Sequence, residues 1–188
     1  MFIDEIDNTK KMVLHCCCAP CSCAIIDLLI QKGVETTLFF YNPNIHPEKE
    51  YLRRKEELCR YGLKRGVAVV DAEYDPDQWF EYVKGYEKEP ERGERCTKCF
   101  YLRLLKTAEY AAEHGYPLIS TTLGISRWKD FSQVTNAGIE AVSSFPNLSY
   151  IAYNWRKKGG TEKMHKITKK ENFYRQTYCG CSFSKKSP

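Results

Sequence analysis

The N-terminal part of the chain is unusually rich in thiols. The stretch LHCCCAPCSC, residues 14–23, places five cysteines in ten positions. Five more cysteines follow, at Cys59, Cys96, Cys99, Cys179 and Cys181. Thiols at this density are typical of disulfide staples, metal ligands or redox centres. The cellular compartment and the placement of these thiols on the fold decide among the three.

The composition indicates an ordinary globular protein in a reducing compartment. The 188 residues are 43% hydrophobic and 28% charged, which predicts a single domain over residues 1–188 with a substantial core. Residues 1–11 lack the basic start and apolar run of a signal peptide, and no apolar run approaches the roughly 18 residues of a membrane span. We therefore expect a cytoplasmic protein with reduced thiols, which favours metal or redox chemistry over disulfides.

Short β-branched runs alternate with amphipathic helical segments along the chain. The pattern predicts strands at 11–15, 34–41, 67–72, 117–123 and 148–153. It predicts helices at 20–33, 47–66, 75–86, 96–115 and 130–145. Strand–helix alternation with short connections favours right-handed βαβ units. The fold class is therefore α/β, a mainly parallel five-stranded sheet flanked by helices.

The segments that follow the predicted strands carry most of the chemistry. In an open α/β sheet, ligands bind beyond the carboxyl ends of the strands. The segments CCCAPC, YNPNIHP, DAEYD and GISRWKD each follow a predicted strand and so meet at that edge. Cys21 and the Cys96/Cys99 pair also lie near predicted helix starts, where backbone N–H groups favour the thiolate form. We expect a cysteine-rich metal site at this edge.

The residues alone leave three uses for the thiols open. Four thiolates suit an iron–sulfur cluster or a structural zinc. Iron–sulfur is favoured, because zinc usually occupies a small loop-rich unit and would account for only four of the thiols. The CAPC segment also suits a thioredoxin-type dithiol of Cys18 and Cys21. Cys59, Cys16 and Cys23 are expected to be buried apolar side chains without a ligand role.

The C-terminal segment is basic. Residues 156–188 contain ten Lys or Arg and two Glu, a local net charge of +8, while the whole chain carries +5. Aromatic residues lie within or beside this segment, at Tyr153, Trp155, Phe173, Tyr174 and Tyr178. Basic and aromatic side chains together suit RNA binding, although a solvated basic surface explains the composition equally well.

Five segments together resemble the cobalamin-independent epoxyqueuosine reductases: LHCCCAPCS, YNPNIHPEKEYLRRKEEL, ERCTKCFYLRL, TTLGISRWKD and YRQTYCGCSFS. They occur in order over nearly the whole chain. The resemblance implies removal of the epoxide oxygen from epoxyqueuosine in the tRNA anticodon, which leaves queuosine. It also implies a [4Fe–4S] cluster, allows for a second metal ion such as iron, and requires an external electron donor. The alternatives are a non-catalytic zinc protein that binds RNA and a thiol–disulfide oxidoreductase.

The second of these segments is also similar to a loop and helix of PP-loop ATP-dependent tRNA-modifying enzymes. This similarity implies a related nucleotide alpha-hydrolase scaffold. Those enzymes carry a Gly/Ser-rich phosphate loop after the first strand, where this chain has CCCAPCS. Because such a turn offers no open nest of N–H groups for phosphate, we expect metal in place of ATP.

Given the resemblance, we assign Cys17, Cys18, Cys96 and Cys99 as cluster ligands. Cys179 and Cys181 are then a dithiol electron store or ligands of a second metal. Cys21 is a further candidate for either role.

The epoxide oxygen must be polarised as its C–O bonds break, by a carboxylic acid or by a metal ion. Asp130, after the fourth strand, is the candidate acid or second-metal ligand. Asp71 and Asp75 are weaker candidates, and Asp75 is better explained as a helix cap. His46 is expected to be a structural loop residue.

Substrate contacts are expected from the residues around these candidates. Arg127, Lys129 and Arg175 suit RNA phosphates, and Trp128 suits stacking on a base. A place for Trp128 in the core is equally compatible with the sequence.

Overall fold

The computed structural model describes residues 10–184 and contains one five-stranded sheet. Its strands are β1 (Lys11–His15), β2 (Glu35–Phe40), β3 (Ala68–Asp71), β4 (Leu118–Thr121) and β5 (Ser149–Tyr150). The strand order is β3-β2-β1-β4-β5, and every neighbouring pair is parallel. The expected α/β class with a parallel five-stranded sheet is confirmed.

Six α-helices connect and cover the strands of the described region: α1 (Ala19–Gln31), α2 (Glu48–Arg65), α3 (Pro76–Tyr82), α4 (Glu94–Glu113), α5 (Phe131–Val142) and α6 (Gly160–Lys170). Helix α1 packs against α2 and α6, whereas α4 packs against α5 and against β1. The sheet therefore lies between two helical layers, as buried parallel sheets do.

The strand order makes β1 the point where the chain changes direction across the sheet. β1 pairs with β2 on one side and with β4 on the other, so that His15 lies opposite both Phe39 and Thr121. Ligands of open α/β sheets bind beyond the strand ends at such a switch point. The turn after β1 begins at Cys16 and contains the cysteine-rich stretch.

The alternation of side chains along β1 distributes its residues between the two layers. Met12, Leu14 and Cys16 face the core that includes α1, while Val13 packs in the core on the opposite face. The same alternation places Cys16 and Cys17 on opposite faces, and Cys17 packs with Phe100 of α4. The strand thereby buries Cys16 and delivers Cys17 to the other side.

The structure differs from the sequence-based expectations mainly near the C-terminus. The fifth strand is limited to Ser149–Tyr150, and the fourth ends at Thr121, where a 3-10 turn over Thr122–Ile125 begins. Helix α6 was not predicted, because four lysines and a glutamate within eleven residues obscure its apolar positions. Met164 and Ile167 of α6 nevertheless pack against the core that contains α1. Within residues 10–184, no helix combines the length and the apolarity needed to cross a bilayer.

Candidate thiol-lined active site

Three cysteines gather at the start of α1. The ligand atoms of Cys17, Cys18 and Cys21 all lie within 4.8 Å of one another. Cys18 is the extended N-cap residue of α1, and Cys21 follows in its first turn after Pro20. Pro20 suits this turn, because a backbone N–H in the first turn of a helix has no partner within the helix and proline lacks that N–H. The turn between β1 and α1 therefore brings three of the five clustered cysteines to one point.

The donor set fits a metal or an iron–sulfur site. The sulfur atoms of Cys17 and Cys18 are 3.7 Å apart. Two thiolates on one tetrahedral ion at about 2.3 Å would be about 3.8 Å apart. Cys17 and Cys18 are nearly inaccessible to solvent, and Cys21 is half-buried. Three soft ligands at this spacing, two buried and one half-buried, are compatible with a thiophilic metal or cluster, and Cys21 belongs to the group.

The surroundings favour a thiolate at Cys17. Hydrogen bonds from Cys18 and Cys21 lower the pKa of the Cys17 thiol well below its usual range. Burial opposes this change, and the charges of Arg103 and Lys129 support it. As the donor to Cys17, Cys18 has its pKa raised to about 12. One anionic sulfur is thus stabilised before any metal binds.

The other four candidate thiols lie nearby in two places. Cys96 is in the first turn of α4, where its sulfur accepts the backbone N–H of Arg92 at 3.3 Å. Cys99 and Cys181 are buried in one hydrophobic cluster, and Cys179 packs against it. A hydrogen bond from Cys181 lowers the pKa of Cys179 against the effect of burial, with further help from Lys129 and Ser184. Cys179 is therefore a second candidate thiolate.

Lys129 faces both sets of thiols. Burial would lower the pKa of this ammonium, but the thiolates of Cys179 and Cys17 outweigh that effect and raise it. Its Nζ lies 5.4 Å from the centroid of the Phe100 ring, which packs against Cys17 and Cys18. Its charge therefore acts on both sets of thiols, and the expected phosphate contact of Lys129 stays a prediction.

Arg103 of α4 is a second buried cation at the site. One guanidinium nitrogen lies 4.0 Å from the sulfur of Cys99, and another donates to Asn42 Oδ1 at 2.5 Å. Asn42, in the loop after β2, in turn donates to the carbonyl of Cys16 at 2.9 Å. This chain of contacts links α4, the β2 loop and the cysteine turn. The positive charge of Arg103 also balances thiolate charge in a buried place.

The C-terminal segment closes over the cysteine turn. The amide of Gln176 lies 2.8 Å from the sulfur of Cys18. Arg54 of α2, which is 2% exposed, donates to the carbonyls of Tyr178 and Cys179 and pairs with Glu50. These contacts place the Cys179–Cys181 pair at the same edge of the sheet as the start of α1.

Polar residues at the ends of β1 and β4 hold this edge together. The carbonyl of Tyr41 requires a proton on His15 Nε2, so that Nδ1 accepts from the hydroxyl of Thr121 at 2.8 Å. Burial holds the pKa of His15 down at about 3, which keeps the ring neutral. The hydroxyl of Thr122 lies 3.4 Å from the backbone N–H of Cys17. The turn after β1 is therefore fixed to the turn after β4.

The candidate carboxylates have local structural contacts. Asp130 is exposed and caps α5 by accepting the N–H of Gln133 at 2.8 Å. Asp75 caps α3 in the same way, as expected. Asp71 pairs with Lys55 and accepts the hydroxyl of Tyr51. A chemical role for Asp130 stays a prediction, and its carboxylate also caps α5 in the structure.

The predicted RNA contacts are surface residues. Trp128 is 65% exposed, which excludes the core position that the sequence had left open beside a stacking role. The guanidinium of Arg127 lies 4.7 Å from the centroid of the Trp128 ring, and Arg92 binds the carbonyls of both residues. Arg175 is exposed, just before Gln176 in the C-terminal segment. Their roles in binding stay predictions.

Cys16, Cys23 and His46, which were expected to have structural roles, lie in largely apolar surroundings. Cys16 is fully buried, its thiol donates to the carbonyl of Leu14, and burial raises its pKa. Cys23 is buried and donates to the carbonyl of Pro20 at 3.3 Å. His46 stacks on Phe80 at 4.5 Å between ring centroids, in keeping with a structural loop residue.

Fold and site together define a class: an α/β protein whose parallel sheet carries a buried, thiol-lined site at its switch point. The family model described as Epoxyqueuosine reductase QueH matches residues 12–187. Relatives of that name include those of Acinetobacter baylyi, 51% identical over 178 residues, and Thermotoga maritima, 33% identical over 178 residues. These alignments cover 95% and 92% of this chain and 82% and 89% of the relatives.

The chain belongs to the epoxyqueuosine reductase QueH family. Membership confirms the family expected from the five sequence segments and the expectation of an oxidoreductase. It favours this interpretation over a zinc-containing RNA-binding protein or a simple dithiol oxidoreductase. The expected likeness to PP-loop enzymes stays a prediction.

Proposed function

We propose that this protein reduces epoxyqueuosine in the anticodon of tRNA to queuosine at the thiol-lined edge of its sheet. The observation that carries the proposal is the buried group of Cys17, Cys18 and Cys21 at the β1 switch point. It occurs in a chain that matches the reductase family over residues 12–187. A zinc protein that only binds RNA would not need further paired thiols at the same edge.

The reaction sets the requirements of the site. Both C–O bonds of the epoxide break, a carbon–carbon double bond forms, and the oxygen leaves as water. The balance requires two electrons and two protons for each epoxide. The protein must therefore hold a source of electrons, deliver protons to the oxygen and keep the modified nucleoside in place.

The cysteine turn is suited to hold a [4Fe–4S] cluster. Cys17, Cys18 and Cys21 would supply three ligands, and Cys96 or Cys99 of α4 is the candidate for the fourth. Such a cluster, when bound, transfers electrons one at a time. Arg103 and Lys129 would offset the negative charge of the thiolates in this buried place.

Cys179 and Cys181 are the proposed second store of electrons. Oxidation of two thiols to a disulfide releases two electrons and two protons, which is the requirement of one epoxide. The hydrogen bond from Cys181 that lowers the pKa of the Cys179 thiol requires the two side chains to be neighbours. An external donor must then reduce the pair again. A second iron held by these thiols, with Asp130 as an oxygen ligand, is the alternative use of the same residues.

The surface beside the site is suited to RNA. Trp128 offers an exposed ring for stacking on a base, with Arg127 beside it. Arg175 offers a cation on the C-terminal segment. Arg92 links Arg127 and Trp128 to Cys96, and Arg175 precedes Gln176, whose amide lies 2.8 Å from the sulfur of Cys18.

Mass spectrometry of anticodon nucleosides tests the proposal. The anaerobically reconstituted protein is incubated with tRNA that carries epoxyqueuosine and with a chemical reductant. The expected product is lighter by one oxygen atom. A nucleoside of unchanged mass, with protein that contains its full iron, would contradict the proposed function.

A further inference from the structure

We propose that the cavity between α1 and α6 binds the sugar–phosphate backbone of the tRNA substrate beside the nucleotide that is reduced. This inference rests on the proposed function and adds a binding site to it. The cavity has a volume of about 260 Å³. It lies on the side of α1 that faces the C-terminal segment, apart from the thiols.

The lining of the cavity is cationic. Four lysines border it: Lys32 at the end of α1, Lys157 and Lys158 before α6, and Lys163 in the first turns of α6. The described residues that line the cavity include no Asp or Glu. Lys163 bonds to the neutral side chain of Gln31 at 3.4 Å, so its charge is not neutralised by that contact. Several lysines around one concave surface form a suitable site for consecutive phosphates.

The floor of the cavity is apolar. Ile25 and Leu28 of α1 line it together with Trp155, whose ring is buried and donates to the carbonyl of Thr121 at 2.9 Å. The half-buried ring of Tyr153 packs against Trp155 edge to face, with 4.9 Å between the centroids. A charged rim over an apolar floor matches a nucleotide, which has a charged backbone and apolar ring and ribose faces.

The entry to α6 is built to shape this wall. Gly159 has a φ of +78°, which favours glycine. A Cβ on Gly160 would lie 1.9 Å from the carbonyl oxygen of Trp155, so only glycine permits this approach. Two successive glycines thereby bring the start of α6 against the floor of the cavity.

The position of the cavity relative to the thiols suits one continuous strand of RNA. Ala24, at one end of the lining, follows Cys21 by three residues on α1, and Lys32 follows by eleven. With a rise of 1.5 Å per residue, these positions lie about 5 Å and about 16 Å along the helix from Cys21. A nucleotide beside the modified one would therefore fall within reach of the lysines.

Binding of an unmodified tRNA tests the site without turnover. The variant Lys157→Ala/Lys163→Ala removes two cations from the cavity. The control variant Lys84→Ala/Lys106→Ala makes the same change in net charge away from the cavity, just after α3 and on α4. We expect the cavity variant to bind roughly tenfold more weakly at about 0.1 M salt. Its slope of log affinity against log salt should be shallower by about 1.4 to 1.8, because two phosphate contacts are lost.

The control variant is expected to keep both the wild-type affinity and the wild-type slope. Lys157→Glu provides a second test, because this exposed side chain can change without disturbing the core. Equal affinity and slope in the wild type and both cavity variants would overturn the proposed site, as would a wild-type protein that binds no tRNA. The proposed function is judged separately, by loss of oxygen from the nucleoside at saturating tRNA. Measured over a range of tRNA concentrations, the cavity variants should have a higher KM for tRNA than the control variant.

Discussion

Arg54 and Cys179 are 125 residues apart in the sequence, and the Arg54 guanidinium donates a hydrogen bond of 3.0 Å to the Cys179 carbonyl. The same guanidinium binds the carbonyl of Tyr178 at 3.1 Å and the carboxylate of Glu50 at 2.6 Å. A buried arginine of α2 thus holds the segment that carries the C-terminal thiols. This anchor acts together with the burial of Cys181 and with the hydrogen bond from the N–H of His46 to the carbonyl of Gly180.

Replacing Arg54 should release the C-terminal segment. Arg54→Met removes the donors to two carbonyls and leaves the poorly exposed Glu50 carboxylate without its cation, with only the hydroxyl of Tyr174 as a partner. We expect the free energy of unfolding to fall by about 3 kcal/mol, the typical effect of breaking a buried pair. We also expect Cys179 to be alkylated faster, and peptide mass mapping measures this rate.

Arg53→Met is the matched control. Arg53 is the exposed neighbour of Arg54 and lies over the ring of Tyr174, with 3.5 Å from its guanidinium carbon to the centroid. Its loss should change stability by less than about 1 kcal/mol and leave Cys179 protected. Equal protection of Cys179 in the wild type and in Arg54→Met would contradict the anchoring role.

Gly180, between the two C-terminal cysteines, should not tolerate a side chain. Its φ is +110°, and a Cβ there would lie 2.8 Å from Ile45 Cγ1 and 3.3 Å from Arg54 Nη1. Gly180→Ala is expected to lower the free energy of unfolding by 1–3 kcal/mol, roughly. Gly115→Ala, also at positive φ but with no atom within 4 Å of the new Cβ, should cost only about 1 kcal/mol. Urea denaturation compares the two, and equal losses would show that the contacts at Gly180 do not matter.

The ligand set should be readable from iron content. Cys21→Ser is expected to lower the iron and sulfide bound after anaerobic reconstitution, because Cys21 shares the site of Cys17 and Cys18. Cys59→Ser changes a half-buried thiol on α2 and should leave the iron unchanged. Cys96→Ser and Cys99→Ser, measured in parallel, identify the fourth ligand. Full iron in Cys21→Ser together with loss in both α4 variants would favour the ligand set proposed from the sequence.

Thr121 should stabilise the edge through its hydroxyl. Thr121→Val removes the donor to His15 Nδ1 and the acceptor for the N–H of Leu123. Because both partners are buried, we expect a loss of about 1–3 kcal/mol in the free energy of unfolding by urea. Thr36→Val, at a half-buried hydroxyl bonded to the Val34 carbonyl, should have a much smaller effect. A wild-type midpoint for Thr121→Val would contradict this account of the edge.

Much of the fold follows from periodicity in the sequence. Burial of one face produces the alternation of apolar residues along β1 and their helical repeat in α1, α2 and α4. These patterns predict the sheet and the edge at which the candidate site lies. The C-terminal helix was missed because it is mostly polar and is stabilised by packing on α1. Its existence depends on contacts far away in the sequence, which local patterns do not contain.

The candidate site was predicted by residue type but not by its contacts. Cys17 and Cys18 were assigned from their place after β1, whereas the grouping of Cys21 with them depends on the turn of α1. Gln176 and Arg103 were not foreseen as neighbours of the thiols. For Arg54 a signal existed, because it lies on the buried stripe of α2 otherwise formed by Tyr51, Leu58 and Tyr61. A charged residue at such a position indicates a buried partner.

The most direct test of the account compares nucleoside products of thiol variants on tRNA carrying epoxyqueuosine. We predict that the wild type and Cys59→Ser remove one oxygen from the modified nucleoside under reducing, anaerobic conditions. The double variant Cys17→Ser/Cys21→Ser should leave its mass unchanged while still binding tRNA. Loss of oxygen at the wild-type rate in that double variant would contradict the claim that the thiols at the β1 switch point perform the reduction.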